Sequence, residues 1–357
     1  MAKATHFFLG ANSGKGFVSL FPEFCRPEAH RRLTILKGGP GCGKSTFMTR
    51  IGKAMESAGE EVEYLHCSGD PDSLDGVHMP RLGAAYVDGT APHVVEPHYP
   101  GAADRILDLS PAYDLDMLEA RRQEVMEGFQ SCSEAYGRAK RAMDAAAQIE
   151  ESTKLLAEKG LDREKLLRRG EGIAQRELRG KGPGGPIVRR FLGSYTCKGP
   201  VWRFDTVEQL CPRVWAIQDT YGLAGPMLEL LAEAAEKHGW TSIHCPDPEH
   251  PEKLHHLILP ELGIGFVTEA PGMSFPGEPY RRIRVDAMVD AGYLKAQREH
   301  LHRLHQMDVA LREEAVSALG ETKAAHDRLE SLYRPCTGFA SVDRALDREL
   351  GRLKVLL

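Results

Sequence analysis

Apolar residues fall into two rhythms that alternate along the chain. Short β-favouring runs occur at Leu33–Leu36, Val62–Leu65 and Ala84–Val87, and a second set at Val214–Ile217, Thr241–Ile243 and Ile264–Val267. Runs of this length, bounded by turn residues, read as strands of a buried parallel sheet with helices between them. Each set then gives way to a long charged stretch with apolar residues three and four apart. The first seam is Leu115, Leu118, Val125, Phe129, Cys132, Tyr136, Ala139, Met143 and Ala146; the second is Leu294, Leu301, Leu304, Leu311, Ala315, Ala318, Ala325, Leu329 and Leu332. That spacing predicts coiled-coil-like helices, and the small residues let the two seams approach each other. The expected class is α/β: a parallel sheet core over 1–110, a helical segment over 111–180, a connection over 181–190, a second core over 191–286 and a second helical segment over 287–357.

One loop carries a specific chemical signal. Gly38-Gly39-Pro40-Gly41-Cys42-Gly43-Lys44-Ser45-Thr46 fits the phosphate-binding pattern G-x-x-x-x-G-K-[ST]. It follows the strand candidate Leu33–Leu36 and precedes Phe47–Met55, whose apolar residues have helical spacing, which is the context the motif requires. Glycines let the loop curl so that backbone N–H groups and a helix N-terminus face phosphate oxygens. Lys44 would reach the outer phosphates of a nucleoside triphosphate such as ATP, and Ser45 would ligate Mg²⁺. A second Mg²⁺ anchor is expected at the end of a neighbouring strand, and Asp88 in Ala84-Ala85-Tyr86-Val87-Asp88-Gly89-Thr90 supplies it. Within Ser68–Gly76, residues Asp70, Asp72 and Asp75 could orient water or a substrate hydroxyl, or act as caps and turn formers, with Asp72 or Ser73 capping a following helix. His93 is a candidate sensor of the γ-phosphate.

The two halves share a series of short matches in one order. Phe8-Leu9-Gly10 returns as Phe191-Leu192-Gly193, Arg32–Leu36 as Arg213–Ile217, His66-Cys67 as His244-Cys245, and Pro80-Arg81-Leu82-Gly83 as Pro260-Glu261-Leu262-Gly263. Such a series indicates two copies of one unit. In the second, Gly225 and Pro226 stand where Lys44 and Ser45 stand in the first, Thr268 replaces Asp88, and Asp219 would turn a carboxylate toward any phosphate. The second loop is therefore expected not to bind nucleotide. The Gly10–Gly16 stretch recurs in both copies as Gly193–Gly199, which points to a structural turn, with Asn12 and Lys15 as secondary nucleotide contacts. His66-Cys67 and His244-Cys245 lack the spaced partners of a zinc site. His300, His302 and His305 read as solvated.

Arg179-Gly180-Lys181-Gly182-Pro183-Gly184-Gly185-Pro186 has the composition of a flexible connection. With Arg168, Arg169, Arg176, Arg189 and Arg190 around it the stretch is strongly basic, so a mobile loop touching phosphates or RNA is the alternative. The whole chain of 357 residues carries a formal charge of −5, which argues against a general nucleic-acid binder. No stretch approaches the ~18 apolar residues of a membrane span. The apolar Phe7-Phe8-Leu9 is too short for a secretory signal, so the eight scattered cysteines are expected to be reduced thiols in a cytoplasm.

The chain resembles a family of bacterial P-loop ATPase-like proteins built from two tandem copies. The resemblance rests on F-x-G-x-x-T-x-x-G-F at Phe8–Phe17 (Ser13 in place of Thr), K-G-x-P-G-x-G-K-S-T at Lys37–Thr46, H-C-S-x-D-x-x-S-L-D at His66–Asp75 and D-G-T-A-P-H at Asp88–His93. It spans almost the whole chain and implies a P-loop fold with nucleotide binding, but no substrate. Members often keep both phosphate loops; this chain has one. The expected function is Mg²⁺-dependent ATP binding with hydrolysis, with Lys44, Asp88 and Asp75 as the catalytic candidates. ATP is favoured over GTP because no Asn-Lys-x-Asp tetrad is present. Two further readings stay open: a kinase closing an arginine lid over the phosphates, and a non-catalytic nucleotide-binding regulator. No membrane partner is expected, and no protein partner is named by the sequence.

Overall fold

The computed structural model describes residues 4–357. The first half opens with β1 (Ala4–Phe8), a hairpin of β2 (Gly10–Ser13) and β3 (Gly16–Ser19), and the short helix α1 (Phe21–Phe24). Strand β4 (Arg32–Lys37) leads through the glycine loop into α2 (Lys44–Ser57), followed by β5 (Val62–His66), β6 (Leu74–Met79), β7 (Ala84–Asp88) and β8 (Asp104–Asp108). Helices α3 (Leu115–Ala120), α4 (Arg122–Glu158) and α5 (Arg163–Glu177) follow. The second half begins with β9 (Ile187–Arg189), a hairpin of β10 (Gly193–Thr196) and β11 (Gly199–Trp202), and α6 (Phe204–Leu210). It continues with β12 (Arg213–Gln218), α7 (Gly225–Lys237), β13 (Ser242–Pro246), β14 (Leu254–Leu259), β15 (Ile264–Glu269) and β16 (Arg281–Arg284), then α8 (Ala291–Ala296), α9 (Arg298–Tyr333) and α10 (Phe339–Lys354).

The strands form two six-stranded sheets, ordered β1-β5-β6-β7-β4-β8 and β9-β13-β14-β15-β12-β16. Both are mixed, not purely parallel. β6 and β14 run antiparallel to both neighbours, and every other pair in the two sheets is parallel. The helix expected between Val62–Leu65 and Ala84–Val87 is therefore the strand β6. A parallel crossover needs a dozen or more connecting residues, whereas the short loops on either side of β6 suit antiparallel returns. Gly76 permits the close pairing, since a Cβ there would lie 2.9 Å from Leu65 Cδ1.

Alternating strand residues face opposite ways, and the two sheets share one core. Phe7, Ile35, Leu65, Ala85 and Val87 of the first pack with Val214, Ile258 and Val267 of the second, around Phe8, Phe191 and Phe204. Phe8 and Phe191 exchange backbone hydrogen bonds of 2.9 and 3.0 Å. The outer faces are covered in a crossed manner. α2 and the C-terminal α10 (Val342, Ala345, Leu346, Leu353) cover the first sheet. α7 and α5, the helix from the first half (Leu166, Ile173), cover the second. Each buried Leu, Ile or Phe stabilises by about 1.5–3 kcal/mol, so neither sheet is complete without the other half's helix. Glu349 fixes α10: buried, it accepts from Tyr86 Oη at 2.9 Å and pairs with Arg105 and Arg352.

The long helices α4 and α9 pair antiparallel and span the molecule, with Arg138 meeting Glu321 and Tyr293 Oη donating to Leu156 O at 3.0 Å. Their shared core is narrower than the sequence suggests. Ala139, Ala142 and Met143 meet Ala315, Ala318 and Leu319, while Phe129 is 49% exposed and Leu115 is also exposed. At the level of Phe129 it is the neighbouring Gly128 that faces α9, where a Cβ would lie 2.9 Å from Leu329 Cδ1, and Phe129 points outward. At the second sheet Arg312 of α9 is surrounded by acids: Glu249 Oε2 at 2.5 Å, Glu150 Oε2 at 2.7 Å and Asp308 Oδ1 at 2.9 Å.

The Gly/Pro segment is not a free tether. Gly182 N donates to His238 O at 2.7 Å and Gly184 N to Gly239 O at 3.0 Å, and Ile187–Arg189 pairs with β13. Arg190 is buried in a forked pair with Glu63 at 2.6 and 3.2 Å. Among the described residues no helix is long and apolar enough to cross a membrane.

Candidate functional site

Strand β4 lies between β7 and β8, and the chain leaves it at Lys37 to form the glycine loop. Gly41 (φ 68°) and Gly43 (φ 92°) both adopt the left-handed conformation that side chains disfavour. Their curl delivers the chain to the first turn of α2, which begins at Lys44 with no side-chain cap. The first amides of a helix have no partner within it, and the helix dipole makes that end positive.

The expected residues converge here. Lys44 Nζ donates to Gly38 O at 2.6 Å and Gly39 O at 3.0 Å, and stands 3.6 Å from Asp88 Oδ2. Register places Asp88 opposite Leu36, abreast of the strand end that feeds the loop. Its other oxygen accepts from Thr90 N at 2.9 Å and Thr90 Oγ1 at 2.6 Å. Ser45 Oγ accepts from Leu74 N at 3.0 Å, tying the loop to the start of β6. The side chains of Lys44 and Asp88 are only 11% and 12% exposed. Within the loop Cys42 is buried, Pro40 half-buried and Thr46 exposed.

Asp75, at the head of β6, meets His93 with Oδ2 3.3 Å from Nε2. His93 Nδ1 lies 2.9 Å from Thr90 O, so Nδ1 carries the hydrogen and Nε2 is left to accept. Burial pushes Asp75 up to about 8, helped by the nearby Asp88 carboxylate. Burial also pulls His93 down to about 4. Both shifts favour a neutral acid donating to a neutral imidazole near pH 7.

The other acids of this loop serve structure. Asp70 accepts from Asp72 N at 3.2 Å and Ser73 Oγ at 3.1 Å and lies 3.4 Å from Lys323 of α9. Asp72 pairs with Lys198 of the second half. Neither Asp72 nor Ser73 caps a helix, because β6 follows. Asn12 links the halves, donating to Ser68 O at 3.0 Å and Tyr195 O at 2.8 Å, and Lys15 faces Glu252 at 3.6 Å. His66 is held by Pro71 O at 2.8 Å and faces His6 at 2.9 Å.

What the sequence did not reveal is the cover over the loop's outer side. A Cβ at Gly39 would lie 3.0 Å from Tyr113 Oη and 3.2 Å from the Tyr333 ring, and one at Gly41 would lie 3.1 Å from Glu330 O. The C-terminal end of α9 thus rests on the glycine loop. The only local hint was glycine at positions where the motif accepts any residue.

The corresponding loop of the second half is closed by its own side chain. Asp219 is buried, and its two oxygens accept from Leu223 N and Ala224 N, both at 2.7 Å, at the start of α7. Burial pushes Asp219 up to about 6, against the pull of those two amides. An internal carboxylate thus occupies the amides at the start of α7. Comparison of the chain with family models, with curated proteins and with solved structures finds no match to any of the three.

Proposed function

We propose that the chain binds ATP with Mg²⁺ at the Gly38–Thr46 loop and hydrolyses it, and that the second half is a copy of the same P-loop core that has lost the activity. The observation that carries this reading is the contrast between the two loops. One presents left-handed glycines, an uncapped helix start, a lysine and a carboxylate. The other, at the same point in an equal strand order, fills its amides with Asp219.

Ser45 and Asp88 offer the hard oxygen donors that Mg²⁺ prefers, and they would hold it. The bound ion would neutralise charge on the β- and γ-phosphates. Loop amides would receive phosphate oxygens, and Lys44 would exchange its two carbonyl partners for the outer phosphates. To the Asp75–His93 pair we assign the orientation of the attacking water, since the pair can hold or pass one proton beside Asp88. Less supports the kinase alternative: Arg190 is committed to Glu63, and α5, which carries other arginines of its expected lid, is packed on α7.

The test is purified protein with labelled ATP, scored for released phosphate in Mg²⁺ and in EDTA. Metal-dependent release supports the reading. Absence of both binding and release would remove it.

A further inference from the structure

Beside the loop lies a cavity of about 250 Å³, lined by Gly43, Thr46, Phe47 and Arg50 from the loop and α2, and by Arg334, Phe339, Val342, Asp343 and Leu346 from the C-terminal segment. That is below the roughly 300–1,000 Å³ of a complete small-molecule site, so it suits one part of a ligand. Its walls are mixed in a particular way. Phe47, Val342 and Leu346 make the floor, the ring of Phe339 is partly exposed at the rim, and the two arginines carry the positive charge. Arg50 pairs with Asp343 at 2.6 Å, which leaves Arg334 as the cation nearer the loop.

The cavity is continuous with the phosphate loop. A Cβ at Gly43 would lie 3.7 Å from Phe339 Cε1, and one at Gly41 would lie 3.4 Å from Arg334 Cγ. Gly43 and Thr46 therefore border both the loop and the cavity. A triphosphate held by the loop amides has one free end near Asp88 and one end that carries its organic group. Lys44 and Asp88 mark the first end, and the cavity lies on the α2–α10 side of the same helix start.

Resting on the nucleotide-binding reading above, we infer that this cavity receives the base and ribose of the bound nucleotide, with the Phe339 ring as the surface on which the base stacks. Aromatic stacking is tolerant of base identity; a planar guanidinium such as Arg334 adds a second flat face. The nucleotide then bridges the two ends of the chain, its phosphates on the first half and its base on the last helix.

The experiment compares two probes, ATP and inorganic tripolyphosphate, by calorimetry on wild type, Phe339→Ala and Phe339→Trp. Wild type should bind ATP at least tenfold more tightly than tripolyphosphate. Phe339→Ala should lose that advantage while holding tripolyphosphate within about twofold, and Phe339→Trp should restore it. Melting curves check that each variant is folded. Equal loss of both probes in Phe339→Ala, or loss of neither, overturns the base site. If wild type binds the two probes equally, the cavity assignment falls and the phosphate loop stands. If wild type binds neither, the nucleotide reading itself falls.

Discussion

Lys44 stands 3.6 Å from Asp88, two charges of opposite sign at the ends of adjoining elements and both nearly enclosed by protein. The lysine is held in the loop's mouth by the carbonyls of Gly38 and Gly39. No other lysine is bonded into that loop among the described residues. Lys44→Ala should weaken ATP binding at least tenfold, or about 1.4 kcal/mol. Calorimetry on folded protein is the check, and unchanged affinity would sink the assignment. Gly225→Ala in the second loop meets open space and should leave binding as it was.

Asp88→Asn separates metal handling from phosphate binding. The amide keeps the acceptor for Thr90 but loses the charge that would hold Mg²⁺. Turnover in Mg²⁺ should drop by tenfold or more, while ATP affinity in EDTA should change less than about threefold. Should turnover match wild type, Asp88 is not the metal anchor.

The α4–α9 pairing makes a prediction opposite to the one that apolar spacing suggests. Phe129 is half exposed, whereas Ala139 and Ala315 are fully buried where the helices touch. Ala139→Arg should cost several kcal/mol by burying an unpaired charge between close helices. Phe129→Arg should change stability by about 0.5 kcal/mol or less, as surface substitutions do. Denaturant unfolding of both variants decides. Equal destabilisation would mean that Phe129 is buried after all.

Around Arg312 three carboxylates share one guanidinium, and Asp247 adds a fourth negative group nearby. Burial pushes Glu249 up to about 7, only partly opposed by Arg312. The unfolded chain gives up this proton near the ordinary 4.5, whereas the folded chain keeps it to about 7. The stabilising contribution is therefore complete below pH 4.5 and is lost as pH rises through 7. Glu249→Gln should flatten the fall in melting temperature between pH 5 and pH 7.5, removing on the order of 1–3 kcal/mol of pH dependence. Parallel curves for variant and wild type would refute it.

The glycine loop and Lys44 were legible in the sequence because they are local: a strand, nine loop residues and a helix start carry their own context; Asp88 was legible because it closes a short apolar run, though its meeting with Lys44 depends on β7 pairing with β4. Asp75 was named, but its partner His93 was assigned a separate role; their meeting depends on β6 running antiparallel, and nothing in Leu74–Met79 forbids a helix. Of the first seam, Ala139, Met143 and Ala146 are buried as read, whereas Ala135 and Ala142 were not named and the larger apolar residues Leu115 and Phe129 drew the seam too wide. Least legible were Tyr333, Arg334 and Phe339. They reach the loop from almost 300 residues away, and no periodicity encodes a contact of that range.

The exchange of α5 and α10 between the sheets bears on how the molecule is made. During synthesis the first sheet leaves the ribosome long before the helix that seals Phe47, Met48 and Tyr86. At about 5–20 residues per second, that face waits roughly 10–50 s for residues 339–354 to arrive. Until then the nascent first half presents an apolar face that α10 has not yet covered, and the cavity beside the glycine loop lacks the wall that Phe339, Val342 and Leu346 supply.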